Sequence, residues 1–165
     1  MYEKIKEVEV DTIVAISRGG LVVSRILSDF LNKPISSITI TSYENLDKVK
    51  EPFIDETPSK LFKHESILIV DEVSDTGKTF ERATNYFKNF PVKHIYTAAP
   101  YIKPKTQFTP NFWVKKLDAW IVFPYEVRET AEAFQKIFID SEKTQQKLTE
   151  VGLASWETEQ FIKAQ

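Results

Sequence analysis

The sequence predicts an α/β protein: a mostly parallel sheet flanked by helices, with a mobile flap and a helical C-terminal extension. Three observations predict it. Runs of apolar β-formers alternate with stretches of helical period. Three of the four glycines, Gly19, Gly20 and Gly77, fall in just two strand-to-helix turns, where close backbone approach or positive φ is useful. Finally, residues 67–80 read ILIVDEVSDTGKTF, an apolar run ending in two acids and a small-residue turn before a helix. At 165 residues the chain is long enough for one domain with a real core and a terminal appendage.

Taken in order, residues 11–16 form a strand that runs into Ser17, Arg18, Gly19 and Gly20. Residues 21–31 then place Val23, Ile26, Leu27, Phe30 and Leu31 on one helical face. Pro34 closes the turn, and residues 35–41 alternate as a strand. Residues 42–65 are polar, carry Pro52 and Pro58 and follow neither period, so they read as a long loop or flap. The apolar run from Ile67 is the next strand, and its helix gathers Phe80, Ala83, Phe87 and Phe90. Residues 94–102 form another strand, followed by a link through Pro104 and Pro110. Residues 112–114 and 120–123 are short strand candidates. From Val127 the pattern is helical, with Ala131, Phe134, Ile137 and Phe138 sharing a face and a weaker helix through Trp156, Phe161 and Ile162. The core is expected over residues 1–126 and the helical extension over 127–165.

Composition excludes several classes. A net charge of −2 gives no support for general nucleic-acid binding. The absence of cysteine excludes disulfides, thiolate catalysis and cysteine-based zinc sites. No apolar run is long enough to span a bilayer, and the Lys- and Glu-studded start is unlike a signal peptide, so a cytoplasmic protein is expected.

The chemistry concentrates in residues 67–80. Asp71 and Glu72 lie at the carboxyl end of a strand, where open α/β sheets bind ligands. Val73, Ser74, Asp75, Thr76, Gly77, Lys78 and Thr79 follow as a turn whose N–H groups converge on an anion before a helix. This pairing of acids with a phosphate cradle suits a phosphorylated sugar. A P-loop fails, because it needs glycine where Glu72 stands, and no dinucleotide fingerprint is present. The plain alternative is an acidic turn that only caps a helix.

The segment resembles the phosphoribosyl-diphosphate (PRPP) signature of the type I phosphoribosyltransferases, over most of fourteen contiguous positions. The resemblance implies that Asp71 and Glu72 hold the ribose hydroxyls, that residues 75–79 wrap the 5′-phosphate, and that Asp75 takes the proton a purine loses at N7. It also makes residues 17–20 the pyrophosphate loop, with Arg18 as its cation and a non-proline cis peptide. Residues 103–126 resemble the base-recognition segment of the 6-oxopurine branch: Lys103 donates to O6, Trp120 stacks on the ring, and backbone near Ile121 and Glu126 reads the 2-position. Ser42 and Tyr43 resemble the serine-tyrosine pair of the mobile flap, about residues 42–65.

The implied activity is transfer of phosphoribose from PRPP to hypoxanthine, guanine or xanthine, giving a nucleoside monophosphate and pyrophosphate. Mg2+ is the implied cofactor, with Asp71, Glu72 and, less directly, Glu126 as metal contacts. A homodimer without nucleic-acid or membrane partners is implied. The readings kept beside it are a non-catalytic PRPP- or nucleotide-sensing regulator, and a transferase for adenine or a pyrimidine. The C-terminal extension is expected to pack over the base site or a subunit interface, since Trp156 and Phe161 need burial.

Overall fold

The computed structural model describes residues 1–41, the backbone of 44–45 and 48–49, and residues 51–162. Ser42 and Tyr43, the expected flap pair, lie outside the described residues. The chain forms two compact units, Met1–Asp118 and Ala119–Gln165.

The first unit begins with helix α1 (Tyr2–Ile5), strand β1 (Thr12–Ser17), helix α2 (Gly20–Leu31) and strand β2 (Ile35–Thr41). A small antiparallel pair, β3 (Glu44–Asn45) and β4 (Lys48–Val49), precedes β5 (Phe53–Glu56). Then come β6 (Ser66–Val70), β7 (Val73–Ser74), helix α3 (Lys78–Phe87), β8 (His94–Ile102) and β9 (Phe112–Lys116). The main sheet runs β5-β2-β1-β6-β8, with β7 and β9 both pairing with β8. Every pairing in it is parallel except β2 with β5. The sheet is therefore mostly parallel, as the alternation of strands and helices required.

Strand alternation sends side chains to opposite faces, and both faces are covered. Val14, Ile16, Ile67 and Ile69 pack with Phe80, Ala83 and Phe87 of α3 on one side. Ile13, Leu68 and Val70 pack with Leu27 of α2 and Ile5 of α1 on the other. Every residue of β6 is buried, which explains its unbroken apolar run. Burying each of its apolar side chains, residues 67–70, stabilises by about 1.5–3 kcal/mol. At the amino edge, Asp11 accepts from Ser66 N at 2.8 Å and Thr12 donates to Glu65 at 2.7 Å, fixing the start of both central strands.

Three expectations are corrected here. The stretch 42–65 is not loop throughout: β5 joins the sheet antiparallel to β2, and Phe62 is core at 1% exposure. An edge strand needs only backbone partners, so its side chains show no apolar period. On α2, Ile26 and Phe30 are 54% and 62% exposed, because Gly20, Ser24 and Leu27 face the sheet instead. Residues 120–123 form no strand, since no strand is hydrogen-bonded to them.

The second unit holds α4 (Val127–Phe138), α5 (Ser141–Glu150), α6 (Ser155–Thr158) and a 3-10 turn, Glu159–Phe161. Ala131, Leu148 and Leu153 form its core, with Val122, Val127, Phe134, Phe161 and Ile162 packed around them. Asp140 caps α5 by accepting from Lys143 N at 2.7 Å. Phe161 packs against this core, while Trp156 is 74% exposed. Thr158 takes the inner side of the four-residue α6 and bonds Gln145, and Trp156, two residues away, faces out. Ile137 is also exposed, at 67%, so the apolar face of α4 is narrower than its pattern. No helix among the described residues is long and apolar enough to cross a membrane.

Candidate active site

Two loops at the carboxyl edge of the sheet carry the candidate site. The first follows β1. Its Ser17–Arg18 peptide is cis, and Gly19 already has helical dihedrals, so glycine is not needed there for its φ. It is needed for space. A Cβ on Gly19 would collide with the Glu72 carboxylate, and a Cβ on Gly20 would collide with the Val70 carbonyl and come within 3.1 Å of Asp71 Cα. The β1 loop thus lies directly against the acids that follow β6. Arg18 is exposed and brings the loop its positive charge.

The second loop follows β6. Asp71 N donates to Ala98 O at 3.1 Å, and Glu72 N donates to the Asp71 carboxylate at 2.9 Å, which keeps both acids at the strand end. Val73 and Ser74 then form β7 beside Tyr101 and Ile102. Asp75 and Thr76 are exposed, and Gly77, at φ 89°, turns the chain into α3. That left-handed turn is the position only glycine fills without strain. It also lacks room, because a Cβ there would stand 2.5 Å from Phe108 N and 2.9 Å from Thr106 Oγ1. Lys78 opens the helix and pairs with Glu51 at 2.7 Å, while Thr79 sits in the first turn.

The strand β8 ends in a turn, Thr106 N donating to Lys103 O at 3.2 Å, and this turn is fastened to the loop that follows β6. Lys103 N donates to Ser74 O and Gln107 N donates to Thr76 O, each at 2.9 Å. Lys105 Nζ lies 3.0 Å from Asp75 Oδ2. Lys103, half-buried, therefore belongs to the same framework as residues 71–77. Sequence reasoning singles out Lys103 and Asp75 but misses Thr106, Gln107 and Phe108, which hold the two loops together. The proline after Lys103 marks a turn, but nothing local says what the turn touches.

In the second unit, Trp120 is 67% exposed, so core packing does not account for it. Ile121 is half-buried, and Phe123 is buried and stacked on Tyr125 with ring centres 5.3 Å apart. Glu126 stands at the N-cap of α4, its N–H donating to Phe123 O at 3.0 Å.

A mostly parallel sheet thus carries two glycine loops at its carboxyl edge, one cationic and one acid-flanked in front of a helix. The chain belongs to the phosphoribosyl transferase domain family, which matches residues 1–131. It is 31% identical over 120 residues to the xanthine-guanine phosphoribosyltransferase of Cereibacter sphaeroides, spanning 70% of this chain and 68% of that protein. The purine phosphoribosyltransferase of Pyrococcus horikoshii is 35% identical, with a TM-score of 0.68 over 75% of this chain and 82% of that one. A Neisseria gonorrhoeae hypothetical protein, solved with bound ppGpp, is 26% identical, with a TM-score of 0.64 over 76% of this chain and 80% of that one.

Proposed function

We propose that this protein transfers the 5-phosphoribosyl group of PRPP to a 6-oxopurine, releasing pyrophosphate and a purine nucleoside monophosphate in purine salvage. The observation that carries the reading is the contact of the Arg18 loop with Glu72, which supports a pyrophosphate grip beside a ribose grip. Thr76, Gly77, Lys78 and Thr79 hold the 5′-phosphate at the α3 N-terminus. Asp71 and Glu72 accept from the ribose hydroxyls, and Arg18 stabilises the departing diphosphate. Lys103 donates to the purine O6, which favours an oxo group over an amino group because an ammonium only donates. Trp120 stacks on the base.

Asp75 receives the N7 proton. Lys105, 3.0 Å away, keeps a positive charge beside it. Asp75→Asn is expected to slow turnover by roughly 10²-fold or more while PRPP affinity stays within a few-fold. Unchanged turnover removes Asp75 from the role.

The acids also fit Mg2+, a hard ion that takes oxygen ligands and binds through few carboxylates plus phosphates. No cluster of three or more protein ligands occurs among the described residues, so Asp71 and Glu72 would share the ion with substrate oxygens and water. Bound there, it would neutralise charge on the diphosphate. Glu126 is the further contact we assign it, on the resemblance alone.

We extend the reading to a cytoplasmic homodimer. Its support is the exposed stripe of Val22, Ile26 and Phe30 on α2, spaced four residues apart and hence on one face. Ile26→Glu should shift sedimentation to the monomer; an unchanged mass would place the contact elsewhere.

The base panel is the test. Purified protein with Mg2+, PRPP and one base at a time should form product with hypoxanthine, guanine or xanthine but not with adenine or uracil. One observation favours a second reading, nucleotide sensing on the same loops: the gonococcal relative carries ppGpp. Tight PRPP or ppGpp binding with no turnover on any base would select that reading.

A further inference from the structure

The proposed function leaves Thr106 without a task, yet it sits where the phosphate loop and the base-side turn meet. Ser74 is 1% exposed, and its hydroxyl lies 2.8 Å from Thr106 Oγ1 and 2.9 Å from Phe108 O. Thr106 Oγ1 is itself 2.9 Å from Phe108 O. The three oxygens form a triangle served by two hydroxyl protons, so two edges are bonded at any moment. Thr106 Oγ1 also lies 2.9 Å from the space a Cβ on Gly77 would occupy. One hydroxyl therefore touches the underside of the phosphate cradle while its own backbone N–H closes the Lys103 turn.

We propose that Thr106 is a positioning residue that makes the phosphate loop and the Lys103 turn one rigid body, coupling engagement of the 5′-phosphate to recognition of the base. This rests on the reading of the site as a purine phosphoribosyltransferase. Gly77 holds its φ against Phe108 and Thr106, so fixing residues 75–79 on a phosphate also fixes residues 103–108. Lys103 is then held ready for the base, and by reciprocity a bound base stiffens the phosphate loop. The Lys105–Asp75 pair spans the same seam, but both side chains are about half exposed or more, at 64% and 48%, so it contributes less than the buried Ser74 and half-buried Thr106 hydroxyls.

Thr106→Val is a clean probe. It keeps the shape and removes the hydroxyl contacts of Thr106 with Ser74 and Phe108 O; Ser74 can still donate to Phe108 O, and the one other bond lost is the long one from Phe108 N at 3.4 Å. Thr106→Ser restores the hydroxyl. The measurement is calorimetric binding of guanine to the full chain, with and without saturating ribose 5-phosphate and Mg2+. In the wild type the sugar phosphate should tighten guanine binding by about fivefold or more. Thr106→Val should cut that enhancement at least about threefold, with its melting temperature near that of the wild type, and Thr106→Ser should recover it.

An equal enhancement in wild type and Thr106→Val overturns the proposal, as does a wild type without enhancement. If Thr106→Val melts early, a Thr106→Ser protein that is stable but uncoupled overturns it too. Failure of the wild type in the base panel would sink the functional reading instead, so the two failures are distinguishable.

Discussion

The two glycine loops look alike in sequence and use glycine for different reasons. Gly19 and Gly20 have ordinary helical backbone and are small because Glu72 and Val70 occupy the space around them. Gly77 is left-handed at φ 89° and crowded as well. The first loop is a close approach of two chain segments; the second is a shaped turn, and the proposed function makes its conformation the grip on the 5′-phosphate. Function should therefore fail differently in each.

Gly77→Ala tests the shaped turn and should show the largest effect. Left-handed backbone costs a residue with Cβ about 1–2 kcal/mol, and overpacking against the Phe108 backbone adds about 1–3. Denaturant unfolding should show a loss of that combined size, with activity falling in parallel. A loss under about 1 kcal/mol would mean that the loop yields easily.

Gly19→Ala should invert the pattern. The colliding atoms belong to the end of the Glu72 side chain, which can swing aside. Stability should change by less than about 1 kcal/mol, while the KM for PRPP rises about tenfold as Glu72 leaves the ribose. A wild-type KM would separate Glu72 from the sugar.

Gly152→Ala calibrates both. Its φ is 93°, and the methyl group that alanine adds would have nothing within 4 Å, so the substitution carries conformational strain alone. A cost of about 1 kcal/mol and unchanged kinetics are expected. A larger cost would show that strain, not crowding, dominates at Gly77.

The contrast also shows what a sequence discloses. The strand β6, the adjacent acids and both glycine turns are legible because each signal is local: four apolar residues, two neighbouring carboxylates, a small-residue turn. The strand β5 is not, because Phe53–Glu56 pairs through backbone at the sheet edge and leaves its side chains largely outside. On α2 the apolar arc is visible, but not that Ile26 and Phe30 lie on its uncovered half. The Ser74–Thr106 contact joins residues 32 apart, and no local pattern encodes it. Trp156 is exposed within its own unit because a four-residue helix has only one inward position to give, and Thr158 takes it.

The central claim is that the two loops grip opposite ends of one PRPP molecule. Calorimetry with Mg2+ can test it using pyrophosphate and ribose 5-phosphate as separate ligands, on Arg18→Gln and Thr79→Ala. The account predicts that Arg18→Gln weakens pyrophosphate about tenfold or more and leaves ribose 5-phosphate within about twofold, and that Thr79→Ala does the reverse. Equal weakening of both ligands by each variant, or of neither, would contradict the division of the site into two loops.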